Sequence, residues 1–102
     1  MRIISEGRIR EYFAQYPDAK SALLAFVKIV RKAAWRDLQE VRRTFPHADA
    51  VKVSSESIAT VFNVRGNRYR LIVAIHYNRQ LVYVLRFLTH AEYNKNAWKE
   101  EL

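Results

Sequence analysis

VFNVRGNRYRLIVAIHYNRQLVYVLRFLTHAEY, residues Val61 to Tyr93, decides the fold. It holds two runs rich in β-branched, aliphatic and aromatic residues, Tyr69 to Tyr77 and Leu81 to Leu88, separated by Asn78, Arg79 and Gln80. Gly66-Asn67 supplies a turn or bulge between the first run and Val61 to Val64. Such composition with such punctuation predicts consecutive strands. The two-residue period puts Tyr69, Leu71, Val73, Ile75 and Tyr77 on one face, which must be the core, and Arg68, Arg70, Ile72, Ala74 and His76 on the other. A three-residue loop then sets Ile72 against Arg86, Arg70 against Leu88 and Arg68 near His90. It also brings Leu71, Val73 and Ile75 to Phe87, Leu85 and Tyr83. Only this parity keeps the apolar faces together.

The same register makes Arg70 and Arg86 diagonal neighbours about 7–8 Å apart, which at an effective dielectric near 20 costs roughly 2 kcal/mol of repulsion. A bound phosphate would relieve it. The alternative is structural, with either arginine paired to Glu56, Glu92 or another carboxylate. Beyond the strands, Thr89 followed by Glu92 makes a capping box for a closing helix from Ala91 to Trp98. His90 and Tyr93 lie one turn apart and face one side, beside the arginine face. Histidine suits proton transfer near neutral pH. The competing reading makes His90 a capping residue and Tyr93 a core aromatic. Trp98 reads as the anchor of that helix.

Upstream, the period changes. Ile3 and Ile4 form a short opening strand, Ser5 with Glu6 offers a helix cap, and the helix runs toward Tyr16, where Pro17 stops it. Pro17 and Asp18 start the next helix, with Leu23, Phe26, Val27, Val30 and Ala34 at helical spacing. Trp35, Leu38, Val41 and Phe45 trace a third, opposite Arg36, Gln39, Arg42 and Arg43, up to Pro46. A short strand around Val51 to Val53 and a Ser-rich turn complete the connection. Helices first and sheet second predict an α+β fold.

Residues 1–102 are the size of one domain, with 50% hydrophobic content to close a core. A formal charge of +8 favours polyanionic partners. The basic surface of the second and third helices (Lys28, Arg31, Lys32, Arg36, Arg42, Arg43) is either a solvated face or steering toward RNA phosphates. The lack of cysteine removes disulfides, thiolate zinc sites and thiol nucleophiles. His47 and His76 have no metal-ligand spacing, so no metal or cofactor is expected. With no signal-peptide core and no run of about 18 apolar residues, the expected location is cytoplasmic, with no membrane partner. Repeats and Gly-rich phosphate loops are missing.

From Trp35 to Trp98 the chain resembles the HigB-type toxins of type II toxin–antitoxin systems, in the segments TFPHADAV, VFNVRGNRYRLIVAIHY and LTHAEYNKNAW, over about two thirds of its length. The resemblance implies a RelE-like toxin fold: N-terminal helices packed on a small antiparallel sheet, with a short C-terminal helix. It implies a metal-independent ribonuclease that cuts messenger RNA during translation on the ribosome. The substrate's 2′-hydroxyl would attack the adjacent phosphate to leave a cyclic phosphate and a free 5′-hydroxyl. It also implies a cognate helix-turn-helix antitoxin. Arg70 would meet the scissile phosphate, and His90 and Tyr93 would handle protons. Arg68 and Arg86 would support the phosphate, and Lys95 would hold the leaving strand or take over from His90. Better-described RelE sequences carry catalytic lysines before the arginine strand, a place that only Lys52 matches here. Two other readings share these features: a non-catalytic RNA- or ribosome-binding module, and a RelE-fold toxin that inhibits DNA gyrase.

Overall fold

The helical period stops and the strand period begins between Pro46 and Ile58, and that boundary separates the two layers of the molecule. The structure, a computed structural model, describes residues 1–102. In chain order it runs β1 (Arg2–Ile4), α1 (Glu6–Gln15), α2 (Lys20–Lys32), α3 (Leu38–Thr44), β2 (Asp49–Lys52), β3 (Ile58–Val64), β4 (Tyr69–His76), β5 (Leu81–Thr89), α4 (His90–Asn94) and α5 (Ala97–Glu101). Strands β2 to β5 form an antiparallel meander, and β1 joins β5 in parallel, giving the order β1-β5-β4-β3-β2. The fold is the expected α+β class, its small antiparallel sheet extended by one parallel edge strand.

Helix α2 shows why the helices cover one face. Leu23, Phe26, Val27 and Val30 recur on one side of it and are all buried. They pack with Phe62, Leu71, Val73, Val82, Val84 and Phe87 from the sheet. The helix ends at Lys32, so Ala34 lies beyond it. Pro17 both stops α1 and opens a 3₁₀ turn, Pro17–Ala19, that leads into α2. Ser5 does not cap α1: its backbone is left-handed, φ 71°, and its hydroxyl makes no capping bond. Helix α3 begins three residues after Trp35, because Asp37 is its cap and accepts from the Glu40 backbone N–H at 3.0 Å.

The opposite face of the sheet carries a second, smaller core. Val53, Ala59, Val61 and Ile72 meet Trp98 there, with Leu85, Leu88 and Tyr93 around them. The expected closing helix is two short helices, α4 and α5, because Asn96 adopts φ 62° between them. This break folds the terminus back, so that Trp98 is 3% exposed, its ring stacked on Tyr93 with centroids 5.4 Å apart.

The expected register holds for Leu71 with Phe87, Ile72 with Arg86 and Arg70 with Leu88. It fails nearer the turn, where Val73 pairs with Val84, Ala74 with Tyr83 and Ile75 with Val82. The loop spans four residues, Tyr77 to Gln80, between the paired His76 and Leu81. A bulge that leaves Leu85 unpaired absorbs the extra residue. Parity along β5 therefore switches, and the core receives Val82, Val84 and Phe87 in place of Tyr83, Leu85 and Phe87. Arg8 on α1 donates to the Val84 and Leu85 carbonyls, both at 3.2 Å, where β1 has ended and no strand covers β5.

Candidate functional site

Arg70 is the second residue of β4, and parity sends its side chain to the smaller core face. It is 8% exposed and has no carboxylate partner. Its guanidinium donates to neutral acceptors instead, the Tyr69 carbonyl at 3.1 Å and Asn67 Oδ1 at 3.3 Å. Nη2 also lies 3.2 Å from His90 Nδ1, and the cation sits 5.5 Å from the centroid of the Tyr93 ring. Burying a cation among neutral partners costs folding free energy.

His90 is fixed from two directions. Thr89 caps α4 through a reciprocal capping box with Glu92, and the His90 backbone N–H donates to the Arg68 carbonyl at 3.0 Å. Its Nδ1 is 3.2 Å from Arg70 Nη2 and 3.1 Å from the Asn67 carbonyl. One nitrogen cannot serve both. With a proton, Nδ1 donates to Asn67 and leaves Nε2 with a lone pair; without it, Nδ1 accepts from Arg70 and Nε2 carries the proton. The tautomer thus sets whether the exposed edge of the ring is a base or a donor.

Tyr93 completes the group. Burial, reinforced by the negative charge of Asp49, pushes its phenol above the ordinary tyrosine range, while Arg70 pulls the other way. At neutral pH it is a hydroxyl donor.

The three residues named as catalytic in the sequence thus come together, and the expected supporting cations do not. Arg68 turns to the helical layer, where it binds Asp18 at 2.7 Å beside Arg65 at 3.2 Å. The Tyr69 hydroxyl donates to the same carboxylate at 2.7 Å. That hydroxyl first, and then Arg68, hold Asp18 below the usual carboxylate range. Arg86 shares the Arg70 face but meets Glu101 at 3.4 Å and the Leu85 carbonyl at 2.8 Å, so the expected repulsion is neutralised within the chain. Lys52 pairs with Glu56 at 2.7 Å. Lys95 stands exposed at the end of α4, on a shallow cleft with Leu88, Glu92 and Trp98. His76 packs edge-on against Tyr83, 5.0 Å between centroids. No three His, Asp or Glu side chains converge as a ligand set.

Sequence reasoning missed Asn67, which touches Arg70 with its side chain and His90 with its carbonyl. The signal was present. An Asn one residue after a glycine at φ 63°, three before the arginine, is placed to turn back on the strand that follows.

A family model for HigB_toxin, described as the RelE-like toxic component of a toxin–antitoxin system, matches residues 19–96. The mRNA interferase toxin HigB of Escherichia coli strain K12 is 27% identical over 94 residues, 92% of this chain and 88% of that protein. The mRNA interferase HigB of Escherichia coli O6:H1 strain CFT073 is 30% identical over 95 residues, 93% of this chain and 90% of that protein. The mRNA interferase HigB of Shigella flexneri is 27% identical over 94 residues, with 92% and 88% covered.

Proposed function

The chain belongs to the HigB family of RelE-like toxins, the toxic component of a toxin–antitoxin system, and from that premise we propose that it is an mRNA interferase, an endoribonuclease that cuts translated messenger RNA on the ribosome. Support comes from the relatives named for that activity and above all from one observation: a buried arginine with no carboxylate, touching a histidine and a tyrosine.

Arg70 takes the scissile phosphate and stabilises the charge that builds on its oxygens. His90 Nε2 accepts the proton of the substrate 2′-hydroxyl when Nδ1–H donates to Asn67. The 2′-oxygen bonds to phosphorus, the bond to the 5′-oxygen breaks, and Tyr93 gives that oxygen its proton. The products are a cyclic phosphate and a 5′-hydroxyl end; by exchange with water His90 gives up the proton it took and Tyr93 regains the one it gave. Lys95 lies past Tyr93 and holds the leaving strand, whereas Arg68, Arg86 and Lys52 give RNA only weaker contacts through their occupied charges. The partner that silences the enzyme is a helix-turn-helix antitoxin, and its place of work is the cytoplasm. No helix is long and apolar enough to cross a membrane.

The test is induction without antitoxin, with RNA 5′ ends mapped beside an Arg70→Ala control whose folding is checked by circular dichroism. New 5′-hydroxyl ends inside translated codons, lost in the control, are expected. Full toxicity in a folded Arg70→Ala protein would remove the site. Growth arrest without new ends would move the function to RNA or ribosome binding, or to gyrase inhibition.

A further inference from the structure

Next to Arg70 lies a cleft of about 520 Å³ lined by His47, Asn63, Gly66 and Asn67, with no apolar and no acidic side chain in its wall. His47 and Asn63 also border a smaller recess of about 110 Å³, backed by Phe45 and Phe62. The larger opening is in the size range of small-molecule sites.

Asn63 is the direct cross-strand partner of Arg70. Side chains so paired share a face and start about 4.5–5.5 Å apart. Asn63 is partly buried, and its carboxamide takes no part in the side-chain hydrogen bonds of the chain, so its donor and its acceptor are both free. Asn67 lines the same cleft while its Oδ1 accepts from Arg70, which ties the cleft to the cation directly. His47 is exposed and lines the same cleft.

A free carboxamide, a flat ring and an adjacent buried cation are the parts that hold one nucleotide of a single strand: amide to base edge, ring to base face, cation to phosphate. We propose that this cleft is a nucleobase subsite for the nucleotide joined to the scissile phosphate, with Asn63 reading the hydrogen-bonding edge of the base and His47 stacking on its face. The inference rests on the ribonuclease reading and adds a specificity-determining residue to it. A protein ligand is disfavoured, because the cleft offers neither an apolar seat nor a second charge.

Two readouts test it. The first is binding of the purified chain to 2′-O-methyl RNA trinucleotides, which cannot be cut by their own 2′-oxygen, in four versions that differ at one base. The second is cleavage of the matching unmodified RNAs on ribosomes. The parent is expected to separate the best from the worst base by about tenfold in Kd, Asn63→Ala to shrink that ratio to about twofold, and Asn63→Asp, which replaces the donor by an acceptor, to change the preferred base. The Asn63 side-chain amide resonance should move on binding in a base-dependent way. An unchanged base profile in both folded variants, or an unmoved Asn63 amide, overturns the subsite. If Arg70-dependent cleavage persists with that unchanged profile, the ribonuclease stands and the subsite falls. If base-selective binding through Asn63 is seen without cleavage, the subsite stands and the ribonuclease falls.

Discussion

Asp18 and Arg70 are opposite solutions to one problem. Asp18 has three donors, two arginines and a tyrosine hydroxyl; Arg70 has no carboxylate. Because the folded carboxyl of Asp18 titrates below its unfolded value, its stabilisation is fully present above the unfolded pKa and is lost as pH falls through the folded one. Asp18→Asn should therefore lower Tm by a constant amount between pH 5 and 8, with the difference from the parent shrinking below about pH 4, as thermal melts across pH would show. A gap that widened on acidification would contradict the assignment. Arg70→Met should do the reverse, holding or raising Tm while abolishing cleavage, since a buried charge without a counter-ion is replaced by an unbranched apolar chain. That Arg70, His90 and Tyr93 meet was legible in the sequence, because strand parity and a one-turn helix offset are local rules. The fates of Arg68 and Arg86 were not, since Asp18 and Glu101 reach them only through tertiary folding.

In β5 the bulge has a use that goes beyond correcting the register. It lets the strand present Val82 and Val84 to the main core and, past Leu85, still return Phe87 to it, where that ring stacks on Tyr12 and Tyr69. Removing Leu85 should leave a regular strand with Val82, Val84 and Phe87 still on one face, so the deletion variant is expected to keep a cooperative melt. Removing Tyr83 puts Val82 and Val84 on opposite faces and should abolish it. Circular dichroism melts of the two deletions decide the matter, and an intact melt in the second would mean that the bulge is free to migrate. The pattern LVYVLRFL could not reveal this in advance, because apolar residues occupy both parities and either alternation reads as a core face. The break between α4 and α5 was hidden for a related reason: Asn96 carries the same helical spacing whether its backbone is right- or left-handed.

Across the whole molecule, charge is distributed by use. Seven Lys and Arg side chains, Arg31, Arg36, Arg42, Lys52, Arg65, Arg68 and Arg86, have a carboxylate within ion-pair distance. Lys28, Lys32 and Arg43 stay exposed on the helical layer without one. Each phosphate met by a cation adds about −0.7 to the slope of log affinity against log salt for a single strand. Single-stranded RNA binding should accordingly weaken steeply from 50 to 200 mM salt, and Arg70→Met should flatten the slope by about 0.7. A slope unchanged in that variant would place the phosphate elsewhere. The sequence disclosed the size of the charge but not which cations were already spoken for.

The parallel seat of β1 also sets an order in time. Arg2, Ile3 and Ile4 pair with Leu81, Val82 and Tyr83, so a segment made early is held by one made much later. β5 is itself flanked by β1 and β4, and the sheet has no edge on which it could be finished without that strand. At about 5–20 residues per second, a ribosome spends most of the roughly 5–20 s taken by these 102 residues with the sheet open and Arg70 paired on its β3 side alone. A chain cut short before Leu81 lacks β5 and the helix that carries His90 and Tyr93, so it cannot assemble the group around Arg70.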